Sequence, residues 1–208
     1  MKLCKNVMRK GRAERFLPFC LFACLLLLAS CSEEDNTEYE YDNWEQRNTE
    51  WFQNKLSEAQ AKISSGNRSW CILRSYTKGD TVLSIRPEDH IIVEKLDSID
   101  WPLTDAPLYT DTVAVHYRGW LIPSVSYQSG YQFDSSYLGT FDEAVATPYE
   151  FSVKSLTAGF ATAVMHMRRG DRWRVYIPYQ LGYGSAAHSG IPAYSNLVFD
   201  IRLEDFWK

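Results

Sequence analysis

The sequence lacks the short signatures of several common enzyme classes. It contains no Gly-x-Ser-x-Gly nucleophile elbow, no P-loop and no Gly-x-Gly-x-x-Gly dinucleotide fingerprint. Its four histidines are scattered without the spacing of metal ligands, so each is expected in a core or on the surface: His90, His116, His166 and His188. We therefore expect no metal and no cofactor.

The first thirty residues have the composition of a leader rather than of a fold. Basic residues from Lys2 to Arg15 precede an apolar run at 16–29, which is short for a membrane span. The run ends in Leu-Ala-Ser-Cys31, which resembles the bacterial lipobox. We predict a lipoprotein signal peptide at 1–30 and lipidation of Cys31, which would anchor the chain in the cell envelope, at the periplasmic or surface face of the outer membrane. An ordinary signal peptide with an incidental cysteine is the alternative.

Without that leader the chain is poor in both cysteine and basic charge. Cys71 would be its one unmodified cysteine, so no intramolecular disulfide can form, and a buried thiol is its simplest role. The leader holds six of the 22 basic residues and one of the 26 acidic residues, which leaves 16 basic and 25 acidic residues and a net charge of −9. Nucleic acid is therefore not an expected partner, because an acidic surface repels it.

A tether and a helix are expected at 31–66, before the main domain. The tether is acidic and polar up to Asp42. A helix is predicted from about Trp44 to Ser64, with Asn43 and Gln46 as an N-cap pair and Gly66 as a left-handed C-cap. Six residues recur along one face of this helix, five of them apolar: Trp44, Asn48, Phe52, Leu56, Ala59 and Ile63. That face needs a partner, either its own domain or another protomer.

Residues 67–208 carry the pattern of a single α+β domain. Apolar residues alternate with polar ones around 113–118, 172–177 and 197–204, which predicts antiparallel strands with one wet face. One short helix is predicted between them, from Phe160 to Arg169, with Gly170 at its end. An antiparallel sheet covered by one helix is an α+β architecture.

Six short patches follow one another between Val113 and Leu203. They are Val115–Gly119, Phe133–Ser136, Pro148–Phe151, Leu181–Gly184, His188–Pro192 and Asn196–Leu203. In this order they resemble the FKBP-type (macrolide-binding) peptidyl-prolyl cis/trans isomerases, whose fold wraps an antiparallel sheet over one short helix. No single patch is specific, but six in the family's order over some ninety residues are hard to obtain by chance.

The resemblance implies an apolar pocket for rotation about X–Pro amide bonds. The barrier to that rotation is about 18–20 kcal/mol, and a twisted amide is less polar than a planar one, so a dry pocket favours it. The implied walls and floor are Tyr117, Phe133, Tyr149, Phe160 and Phe199, with Phe160 in the family's tryptophan position. The other implied positions are Asp134 at the pocket edge, Leu156 and Ile191 as aliphatic wall, the Thr157 backbone N–H, the Tyr183 hydroxyl as donor to the substrate carbonyl, and His188 near the tip of a flap at 185–192.

The partners that this implies are proline-containing unfolded or exported polypeptides, and macrolide inhibitors. Tyr149, Thr157 and Phe160 depart from the family's usual residues, which leaves two other hypotheses open. One is a non-catalytic chaperone or peptide-binding module on the same fold. The other is a surface glycan- or peptide-binding lipoprotein that uses four tryptophans as stacking platforms: Trp101, Trp120, Trp173 and Trp207.

Overall fold

A computed structural model describes residues 39–79, 85–97 and 106–208 of the chain. The predicted leader, Cys31, the tether up to residue 38, and Trp101 lie outside these residues. Within the described ranges, no helix is both long and apolar enough to cross a bilayer. The elements in chain order are α1 (Trp44–Ser64), β1 (Trp70–Arg74), β2 (His90–Asp97), β3 (Thr112–Trp120), β4 (Gln132–Ser135), β5 (Tyr149–Ser152), α2 (Ala158–Val164), β6 (Arg172–Ile177) and β7 (Leu197–Trp207).

The seven strands of the described residues form one antiparallel sheet. Its strand order is β1-β2-β6-β7-β3-β4, and β5 pairs with the first half of β3. The longest pairing joins β3 to β7, from Thr112 opposite Trp207 to Trp120 opposite Val198, with an irregularity between Ala114 and Val115. The central strands are thus held on both edges, and the predicted α+β class is confirmed.

The short helix α2 packs on the inner face of the sheet. Its residues Ala161, Ala163 and Val164 have no exposed surface. Gly159 permits the close approach, because a Cβ there would lie 2.3 Å from Cγ2 of Ile177 on β6. The helix begins two residues before the predicted Phe160 and ends at Val164 rather than at Arg169. The predicted helix was too long because Met167, which lies beyond the end of α2 and the turn that follows it, is also buried.

The long helix α1 packs on the outer face of the same compact unit. Phe52, Leu56 and Ala59 are buried with Trp70, Ile92 and Tyr176 of the sheet. Five of the six residues predicted on this face are therefore buried in the same domain, whereas Ile63, in the last turn of the helix, is 39% exposed. The helix bounds agree with the prediction, and Gly66 has the expected positive φ of 85°.

The predicted cap at the start of α1 is wrong. Asn43 has a left-handed backbone, with φ 50° and ψ 32°, and its side chain makes no capping hydrogen bond. The Gln46 side-chain amide instead donates to Glu50, 2.8 Å away. An N-cap side chain reaches the helix amides from an extended backbone, which Asn43 does not have.

The outer face of the sheet is less exposed to solvent than the alternating sequence pattern predicted. Tyr176 is buried beneath α1, and His116 is buried beside Tyr137 and Phe141, at ring-centroid distances of 6.3 and 4.9 Å. This burial lowers the pKa of His116. A helix and a loop distant in sequence cover this face, so local periodicity does not reveal it.

Candidate active site

Three aromatic rings from three elements form the centre of the predicted site. Tyr117 comes from β3, Phe160 from α2 and Phe199 from β7. Their centroids lie 5.1–6.1 Å apart, and each pair meets edge to face. The residues are 8%, 5% and 5% exposed, respectively. These distances and angles are those of favourable aromatic packing, so the three rings make a firm apolar floor.

Phe133 extends this floor toward β4. Its ring lies 5.5 Å from Phe199, again edge to face. The neighbouring position on β3 is Gly119, where a Cβ would lie 2.6 Å from Cζ of Phe133 and 2.6 Å from Cε1 of Phe199. Gly119 is therefore required by the close approach of both rings to the β3 backbone.

Asp134 holds the hydroxyl of Tyr117. The Tyr117 hydroxyl donates to Oδ2 of Asp134 at 2.8 Å, and the backbone N–H of Ser135 donates to Oδ1 at 2.8 Å. Burial, followed by the bond to this carboxylate, raises the pKa of Tyr117 well above its ordinary value. The hydroxyl stays protonated at neutral pH, and its bond to Asp134 fixes the orientation of the ring.

The Tyr149 ring lies at the rim rather than in the floor. It lies 6.2 Å from Tyr117, and the residue is 52% exposed. The structure adds Phe151, a half-buried neighbour whose ring lies 6.0 Å from Tyr117 and 6.1 Å from Tyr149. Phe151 belongs to the Pro148–Phe151 patch but was not among the predicted site residues. Its signal was the strand period of two, which places Tyr149 and Phe151 on one face of β5.

The aliphatic positions flank the same cluster. Ile191 is buried in it, and Leu156 packs against it while half-buried. Thr157 lies at the start of α2, where its carbonyl accepts the N–H of Ala161 at 2.9 Å. Ile191 and Leu156 therefore belong to the same core cluster as the aromatic floor.

The predicted flap is a small hairpin that turns back over Tyr183. His188 and Ile191 exchange two backbone hydrogen bonds of 3.0 and 2.8 Å, and the turn between them has positive φ at both residues, 46° at Ser189 and 84° at Gly190. The exposed His188 ring stacks on Tyr183 with centroids 4.3 Å apart. Burial, with a smaller contribution from the negative charge of Asp134, raises the pKa of Tyr183. The raised pKa keeps its hydroxyl protonated at neutral pH, so it can donate a hydrogen bond.

The arrangement can bind and desolvate a small apolar group, with a few hydroxyls to direct it. Within the described ranges, no group of three or more His, Cys, Asp or Glu side chains could hold a metal ion. Cys71 is half-buried against the core, and burial raises the pKa of its thiol.

Three of the four tryptophans proposed as glycan-stacking platforms lie in the described residues, and they are not grouped on one surface. Trp173 is buried in the core. Trp120 and Trp207 lie at opposite ends of the β3–β7 pairing. The structure therefore gives no geometric support to glycan stacking by these residues.

The seven-stranded sheet of the described residues, the short helix packed on it and the aromatic floor together define a small α+β domain. Comparison with known proteins identifies the family: residues 104–204 match the profile of the FKBP-type peptidyl-prolyl cis-trans isomerases. This segment of the chain is an FKBP-type domain, as the sequence motifs indicated.

Curated relatives match about half of the chain. A macrophage infectivity potentiator from Trypanosoma cruzi is 39% identical over 99 residues, which are 47% of this chain and 44% of that protein. FKBP-type peptidyl-prolyl cis-trans isomerase FkpA from Escherichia coli (strain K12) is 35% identical over 101 residues, which are 49% of this chain and 33% of that protein. The chain thus spans less than half the length of these relatives.

A solved structure supports the fold. The 1.6 Å crystal structure of a peptidyl-prolyl cis-trans isomerase from Pseudomonas syringae pv. tomato has a TM-score of 0.53 and 21% sequence identity. The match covers 83% of this chain and all of that one. At this identity the likeness concerns the fold alone.

Proposed function

We propose that this chain is a peptidyl-prolyl cis/trans isomerase that acts on exported proteins. The observation that carries the proposal is the aromatic floor of Tyr117, Phe160 and Phe199, which is almost fully buried, with Tyr183 packed against the same core and stacked with the His188 ring. The FKBP-type family assignment of 104–204 supports it.

The proposed mechanism is differential binding of a twisted amide. Rotation about the X–Pro bond removes its conjugation, so the carbonyl becomes less polar and is better accommodated by an apolar surface than the planar amide. Phe160 and its neighbours exclude water from the proline ring. The Tyr183 hydroxyl donates to the substrate carbonyl. Asp134 orients Tyr117 through their 2.8 Å hydrogen bond and transfers no proton.

The substrates that we propose are proline-containing segments of unfolded, exported polypeptides. The Leu-Ala-Ser-Cys31 sequence after a basic and apolar leader supports a lipid anchor in the cell envelope. A macrolide is a further expected ligand of the same pocket, through the family resemblance. Phe160 is a smaller floor than tryptophan, so we expect weaker macrolide binding than an otherwise identical pocket with tryptophan would give.

A protease-coupled assay of a proline-containing peptide tests the function. We expect the purified chain to accelerate cis-to-trans conversion in proportion to its concentration, and a macrolide to inhibit that activity. Binding of the peptide without any acceleration would instead identify a non-catalytic binding module on this fold.

A further inference from the structure

One polar residue interrupts the apolar face of α1. Asn48 has no exposed surface, although its neighbours on this face are aromatic or aliphatic. A buried amide is costly unless its hydrogen bonds are satisfied. Here the Asn48 side-chain N–H donates to the Trp44 carbonyl at 2.7 Å, and its Oδ1 accepts the backbone N–H of Asn196 at 2.8 Å.

Asn196 connects this helix to the segment that carries Tyr183. Its side-chain N–H donates to the backbone carbonyl of Asn48 at 2.6 Å. Its Oδ1 accepts the backbone N–H of Tyr179 at 2.9 Å. Tyr179 begins the 3-10 turn Tyr179–Leu181, which leads directly into Tyr183. One end of the Tyr183 segment is thus bound, through a single buried side chain, to α1.

The other end of the segment is held by Trp44. Its indole N–H donates to the Ser195 hydroxyl at 2.8 Å, and that hydroxyl donates to the carbonyl of Pro192 at 2.7 Å. Pro192 is the last residue of the flap. Residues 179–196, which contain Tyr183 and the flap, are called the flap segment here. Four buried residues form a polar clasp that joins α1 to both ends of this segment: Trp44, Asn48, Ser195 and Asn196.

We propose that α1 is a positioning element for the flap, with Asn48 as its principal positioning residue. The clasp restrains the backbone on both sides of Tyr183 and His188, so that the Tyr183 hydroxyl and the Ile191 side chain are already in place when substrate enters. A restrained flap lowers the ordering cost of binding and of reaching the transition state. The catalytic part of this inference rests on the proposed isomerase function.

The first test compares Asn48→Ala with Leu56→Val in the full-length protein. Both substitutions lie on the buried face of α1, but Leu56 packs against the sheet, away from the clasp. At a temperature where both variants are folded, we expect Asn48→Ala to lose roughly threefold to tenfold in kcat/KM. Of the two side-chain hydrogen bonds that it removes, the one to the Asn196 N–H positions the flap segment, and this is the loss expected for one such bond. Leu56→Val should retain the wild-type value. Equal losses in both variants would overturn the proposal in favour of a general effect of stability.

The second test is rescue by protonation in Asn48→Asp. Burial raises the pKa of a carboxyl group. The neutral acid can donate to Trp44 and accept from Asn196, as the asparagine amide does. Above that pKa the carboxylate faces the Trp44 carbonyl without a proton. We therefore expect activity of Asn48→Asp to fall as pH rises from 5 to 8 while the wild type stays level. Parallel pH profiles would contradict the assignment of Asn48.

Amide hydrogen exchange tests the clasp independently of catalysis. We expect exchange at residues 179–196 to accelerate at least tenfold in Asn48→Ala and to be unchanged in Leu56→Val. Unchanged exchange there in Asn48→Ala would refute the clasp, whatever the activity. If the wild type failed to isomerise but the exchange results held, the proposed function would fail while the restraint of the flap by α1 would stand.

Discussion

Removing the ring of Phe160 tests the mechanism most severely. Phe160 contacts both Tyr117 and Phe199 and is 5% exposed, so Phe160→Ala empties the centre of the floor. Loss of a buried phenylalanine ring costs about 3–5 kcal/mol of stability, against about 5–15 kcal/mol for a typical domain. The variant should therefore stay folded at low temperature. The cavity also admits water where the mechanism requires dryness.

We expect folded Phe160→Ala to lose at least about tenfold in kcat/KM, which corresponds to about 1.4 kcal/mol of transition-state stabilisation. The assay is isomerisation at low temperature, with circular dichroism to show that the protein is folded. Leu203→Ala is the matched control, since Leu203 is fully buried on the same strand as Phe199 but outside the aromatic floor, and its loss costs about 2–5 kcal/mol. Wild-type activity in folded Phe160→Ala, or an equal loss in Leu203→Ala, would refute the desolvation mechanism.

Three further substitutions test separate parts of the account. Tyr183→Phe removes a single donor, so it should fold normally and lose roughly threefold to tenfold in rate, and an unchanged rate would remove Tyr183 from the mechanism. Gly119→Ala should displace the Phe133 and Phe199 rings, because its Cβ would lie 2.6 Å from each, and should lower both melting temperature and activity; a variant with wild-type values would show that the floor is not rigid. Cys31→Ser should release the protein from membranes or leave its leader uncleaved, and unchanged fractionation and processing would disprove the lipid anchor.

The sequence predicted those features that depend on local pattern. The bounds of α1 follow from its apolar stripe, and its end follows from Gly66, where the N–H of Asn67 bonds the carbonyl of Lys62 and the N–H of Gly66 bonds that of Ile63. The aromatic floor followed from the family's motifs, which fix both residue type and order. The division of the chain into a tether and helix at 31–66 and a domain at 67–208 stays a prediction.

Features that depend on contacts between distant segments could not be predicted from the sequence. Asn48 looked like an exception in an apolar stripe because its partner, Asn196, lies 148 positions away. His116 looked solvent-facing because its strand alternates, whereas Phe141 from a later loop covers it. In both cases the polar residue is buried by a segment that is distant in the sequence and close only in the folded structure.

The central claim is that a dry aromatic pocket accelerates X–Pro rotation without acid or base chemistry. The most direct measurement is NMR exchange between the cis and trans forms of a short proline peptide, with substoichiometric protein, from pH 6 to 8. The account predicts accelerated exchange with a nearly flat pH profile, since the raised pKa values of Tyr117 and Tyr183 keep both hydroxyls protonated throughout this range. Exchange at the uncatalysed rate, or a rate that follows the titration of a histidine, would contradict it.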